Sequence, residues 1–112
     1  MSQATLQRID TATAMLVALP DDVFGVCMSV LDDAGFRVIR VKHVAAASER
    51  LPVVMPHLVV APTSLAAEEL ETLNDRCLAI GAELVALSPE VDKRVLGPLL
   101  ASASERALAR KR

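Results

Sequence analysis

Hydrophobic and polar positions switch between two periods along this chain, and the switches predict its elements. Thr11 to Leu19, TATAMLVAL, is a continuous apolar run closed by Pro20. Unbroken hydrophobicity over that length predicts a strand covered on both faces. From Asp21 and Asp22 the period becomes helical: Val23, Val26, Cys27, Val30, Leu31 and Ala34 make one stripe, and Gly35 can take the left-handed closing position. Phe36 to Val44, FRVIRVKHV, returns to a strand. Its Arg37, Arg40 and Lys42 predict a wet sheet edge.

AAASERL predicts a short helix stopped by Pro52, and Pro56 introduces HLVVA, a third strand expected at the sheet centre. Ser64 is the predicted N-cap of the next helix, with Glu68, Glu69 and Glu71 in its N-terminal half, where the dipole favours acids. Its buried stripe is Ala66, Leu70, Leu73, Cys77 and Ile80, and Gly81 ends it. ELVAL, Glu83 to Leu87, is the fourth strand. Ser88-Pro89-Glu90 reads as a helix start, and Gly97-Pro98 as a kink or break in the last helical segment.

Four strand–helix repeats predict a parallel sheet with crossover helices. Residues 1–112 form one domain, with a polar leader over 1–10 and a terminal helix with a basic end over 98–112. At 53% hydrophobic and 23% charged residues, the chain is too apolar for a disordered one. The formal charge of −2 gives no general attraction to nucleic acid, which leaves only Arg106, Arg110, Lys111 and Arg112 as a basic tail. No apolar run approaches the roughly 18 residues of a membrane span, and the N-terminus carries no secretory pattern, so a cytoplasmic protein is the expectation. Cys27 and Cys77 lie far apart outside any CxxC, and only His43 and His57 could join them. That spacing predicts small core residues, not a zinc or redox site.

From Met15 to Ser88 the pattern resembles the receiver domain of bacterial response regulators. The apolar first strand leads to a helix ending in Gly35-Phe36; PHLVVAP, Pro56 to Pro62, is similar to that family's third strand; ELVALS is similar to its fourth. The resemblance implies an α/β, flavodoxin-like three-layer sandwich. Here it would have a four-stranded, mainly parallel sheet, its fifth strand missing or replaced by the C-terminal helix. It also implies a phosphorylation pocket built from an aspartate after the third strand, two acids after the first that hold Mg²⁺, a switch hydroxyl and a lysine. Carried onto this sequence, the nucleophile position is Pro62, the acidic pair is Ala18 and Leu19, and the hydroxyl is Ser88. The lysine has no counterpart beyond Lys93, within a predicted helix. Asp21 and Asp22 remain nearby as an acidic rim, expected to serve as helix caps.

The function expected from these residues is a phosphorylation-incompetent pseudo-receiver, not an enzyme, that binds proteins in a signalling or regulatory assembly. No cofactor or metal is implied, since neither a glycine-rich phosphate loop nor enough carboxylates are present. Leu84, Val85 and Leu87 on an undefended edge strand, with Val95 and Leu99 on the last helix, form the expected interface, in the first instance of a homodimer. Two alternatives differ in class. One is a STAS-like regulatory domain, which Gly81 to Leu96 resembles and in which Thr63-Ser64 would stand near the phosphorylated serine. The other is a small-ligand-binding α/β domain using the strand-end loops.

Overall fold

The computed structural model describes residues 12–88, 90 and 92–110. Its elements run β1 (Thr13–Val17), α1 (Asp21–Asp33), β2 (Arg37–Val41), α2 (Val44–Val54), β3 (Leu58–Pro62), α3 (Ala67–Ile80), β4 (Glu83–Leu87) and α4 (Lys93–Arg110). The four strands form one parallel sheet in the order β2-β1-β3-β4. β2 is therefore an edge and β3 is central, as the charge pattern and the apolar run predict.

Strand alternation divides the core into two layers. Ala14 and Leu16 of β1, Leu58 and Val60 of β3, and Val85 and Leu87 of β4 face one side. There α1 covers them with Val23, Cys27 and Leu31, and α4 with Leu96, Leu100, Ala103 and Ala107. Met15, Val17, Val59 and Ala61 face the other side, under Val44, Ala47 and Leu51 of α2 and Leu73 and Cys77 of α3. Burial on both faces is why β1 and β3 carry no polar alternation. Each large aliphatic side chain taken from water there contributes about 1.5–3 kcal/mol.

The last helix packs on the sheet of its own chain, beside α1. After β4 the described chain makes no fifth strand; the sheet stops and α4 crosses to the α1 face.

Several expected boundaries move. β1 is the middle of the predicted run, Thr13–Val17, because Ala18 turns out of the strand with φ 56°. α2 continues through Pro52 to Val54. The ring removes the bond to Ser48, but it lies in the final turn, which closes when Met55 N–H donates to Leu51 C=O at 2.9 Å. Nor does Gly97-Pro98 break α4, which runs unbroken from Lys93 to Arg110. Pro98 lies on the exposed side near the helix start, where water can serve the carbonyl it leaves unpaired.

Two predicted caps are replaced. Ser64 lies in the turn between β3 and α3, and the N-cap is Ala66, whose N–H is satisfied by Glu69 Oε1 at 3.3 Å. α4 starts at Lys93, not at Ser88. Asp92 caps it by accepting from the Arg94 N–H at 2.9 Å, while Ser88 Oγ accepts locally from the Glu90 N–H at 3.2 Å. The polar leader 1–10, Thr11, Pro89, Val91, Lys111 and Arg112 lie outside the described residues.

Candidate functional site

The carboxyl ends of parallel strands form the rim where open α/β sheets carry ligands. Here β1 and β3 are neighbours, so Ala18 and Leu19, which follow β1, and Pro62, which ends β3, are brought to adjacent strand ends. Ser88 follows β4, one strand further on.

The tight connection from β1 to α1 shapes the first of these. Pro20 is the extended N-cap of α1, so the chain must reverse within Ala18 and Leu19. Ala18 takes left-handed backbone, its N–H donating to Val41 C=O at 2.8 Å, and Leu19 buries its side chain in the core. Pro62 is the last residue of β3, buried and in register with Leu87. The ladder closes beyond it when Thr63 N–H donates to Leu87 C=O at 2.8 Å. Thr63, Ser64 and Ser88 are exposed hydroxyls. The four positions at which the resemblance puts phosphoryl chemistry thus hold methyl, isobutyl, pyrrolidine and hydroxyl groups, with no carboxylate among them.

Of the two acids at the rim, Asp21 takes a strand residue as its partner. Asp21 and Asp22 are the first two residues of α1, and the N-cap, Pro20, makes no side-chain bond. Asp21 pairs instead with Arg40 of β2. The Arg40 guanidinium also reaches Leu19 C=O at 3.5 Å and lies over the Phe24 ring, 4.2 Å from its centroid. The hydrogen bond from Arg40, then its charge, holds the Asp21 carboxyl below the usual carboxylate range; the charge of Lys42 adds in the same direction. An anionic oxygen satisfied by a guanidinium is poorly placed to ligate a cation. Among the described residues, no three His, Cys, Asp or Glu side chains come together as a metal set.

Arg40 is the rim residue that sequence reasoning placed only as an edge charge. The available signal was an arginine at the far end of an edge strand beside a helix that opens with acids. Its partner lies 19 residues away, beyond any local rule.

The residues predicted as an interface separate. Val85 and Leu87 are buried beneath α4, and Leu99 is partly buried against the same layer. Leu84 packs partly into the other layer. Val95 is exposed at 52%. What β4 presents outward is therefore mainly backbone. His57 stands at the opposite end of the sheet from the rim, its Nδ1 accepting from the Thr13 N–H at 3.3 Å and its own N–H donating to Thr13 C=O at 2.8 Å. Cys27 and Cys77 lie in different layers, and burial pushes both thiols up to about 11.

No protein-family model and no curated protein sequence matches the chain. Solved structures do match in fold. One is the signal receiver domain of a protein described as a Luxo repressor from Vibrio parahaemolyticus, at TM-score 0.63 and 14% identity, over 89% of this chain and 95% of that one. Another is the CheY-like response regulator receiver domain from Methanospirillum hungatei JF-1, at TM-score 0.63 and 13% identity, over 91% of this chain and 98% of that one. The fold is therefore receiver-like and flavodoxin-like, with four parallel strands in one sheet and four helices among the described residues.

Proposed function

We propose that this domain is a phosphorylation-independent receiver-like module that acts by binding protein partners in a signalling or regulatory assembly. The observation that carries the reading is Pro62. It fills the end of β3, buried and registered with Leu87, where the receiver chemistry requires a carboxylate. A proline there can neither attack a phosphodonor nor offer an N–H to a phosphoryl oxygen. The engagement of Asp21 by Arg40 supports the same conclusion, because Mg²⁺ needs several free oxygen ligands. The receiver-like fold then serves as a surface carrier, without the aspartyl-phosphate switch.

The test is exposure of the full chain to Mg²⁺ and acetyl phosphate, read by intact mass, and an amide NMR titration with Mg²⁺ followed by beryllofluoride. The expected outcome is no phosphoryl adduct and no shifts clustered at Ala18, Thr63 and Ser88. A stoichiometric, acid-stable but base-labile adduct, or clustered shifts abolished by Asp21→Asn or Asp22→Asn, would overturn the reading.

A further inference from the structure

The two edges of the sheet are built differently. On β4, Glu83 N–H donates to His57 C=O at 3.0 Å and Leu87 C=O accepts from Thr63 N–H at 2.8 Å. In a parallel ladder a residue turns both backbone groups to the same side, and alternate residues turn to opposite sides. Glu83, Val85 and Leu87 therefore bond β3, while Leu84 and Ala86 direct an N–H and a C=O each to the open side. Among the described residues no strand pairs there. β2, the other edge, is guarded by Arg37 and Arg40, with Lys42 just beyond; all three are exposed. β4 has no cation along it, and its one acid, Glu83, is already paired with Arg106 at 3.1 Å.

We infer that the open edge of β4 is the dimer interface of this protein, occupied by β4 of a second copy in antiparallel register about a two-fold axis at Val85. This geometry is self-complementary. Leu84 lies opposite Ala86 of the other copy, both with outward N–H and C=O groups, so the two equivalent pairs make four backbone hydrogen bonds. Val85 faces its own counterpart as the non-bonded pair between them.

Charge selects this edge over the alternatives. Pairing β2 with a second β2 would set Arg37, Arg40 and Lys42 against their own copies, whereas Glu83 meets Leu87 across the β4 axis. Pairing β2 with β4 would be head-to-tail and would not close.

Two five-residue strands bury only a few hundred Å², short of the roughly 1,200 Å² at the lower end of stable interfaces. The remainder must come from the helices that contact β4. α3 and α4 both do, and they carry the exposed apolar side chains Leu78 (62%) and Val95 (52%). Continuing the sheet sets the two copies of each helix side by side on its own face. The inference does not depend on the phosphorylation reading.

Sedimentation velocity and concentration-dependent amide exchange on the full chain test it. Wild type is expected to run at twice 11.9 kDa, with the Leu84 and Ala86 amides protected more strongly as concentration rises. Ala86→Pro removes an outward N–H without touching the β3 ladder, and Ala86→Lys sets like charges on both sides of the axis. Each is expected to weaken dimerisation at least tenfold with the circular dichroism spectrum kept. If Ala86→Pro does not fold, Ala86→Lys decides. A monomer at hundreds of micromolar, or a dimer indifferent to the folded variants, would overturn the inference. So would protection of the two amides in a monomer, since the edge would then be filled within one chain.

Discussion

Arg40 on β2 and Asp21 at the first residue of α1 are joined across the strand-end rim, and Phe24, one turn along α1, supports the guanidinium at 4.2 Å. The pair ties an edge strand to the helix beside it. It also occupies the first carboxylate along the chain after Ala18 and Leu19, where a receiver pocket would collect a metal. The acid's charge sits at a helix N-terminus, where the dipole favours it further.

That pairing has a pH signature. The folded carboxyl titrates below its unfolded value of about 3.9, so its contribution is present above that pH and lost as pH falls through the folded pKa. Asp21→Asn is expected to be less stable than wild type at pH 7. The difference should shrink towards zero in urea titrations carried below about pH 4. High salt should shrink it too, because the carboxylate is exposed.

Leu100 is fully buried where α4 meets the α1 layer. Leu100→Ala is expected to cost about 2–5 kcal/mol, the range for deleting a core leucine that the site cannot refill. Chemical denaturation measures it. A loss below about 1 kcal/mol would mean that α4 is not part of the core of its own chain.

Ala18 and Gly81 test backbone strain in opposite directions. Ala18 holds φ 56°, which costs an L-residue about 1–2 kcal/mol. Ala18→Gly relieves this but costs about 0.4–1 kcal/mol of added unfolded-chain entropy, so a net gain of up to about 1.6 kcal/mol is expected. Gly81 closes α3 at φ 76° with open space around it. Gly81→Ala is expected to lose about 1 kcal/mol through conformation alone. Thermal unfolding of both variants reads the two signs.

Cys27 and Cys77 offer almost no thiolate at neutral pH, since burial raises both to about 11. Native protein at pH 8 is expected to resist Ellman's reagent, and both thiols should react once it is unfolded in guanidinium. Fast native labelling of either would place it outside the packed layers.

The sequence by itself carried the element order, the parallel class, the exposed edge at β2 and the two-sided burial of β1 and β3. Each follows from period and from charge, which are local. ELVAL could be read to the residue because turn chemistry bounds it on both sides. The structure decided what depends on neighbours distant in sequence. Pro52 and Pro98 stay within helices because α2 and α4 are held by packing that outweighs one lost hydrogen bond each. Asp21 belongs to Arg40 because the sheet order sets β2 beside β1. Val85 and Leu87, apolar in an edge strand, face inward because α4 crosses to the α1 layer and covers them. Periodicity tells which residues leave water; only the tertiary fold decides which partners they leave it for.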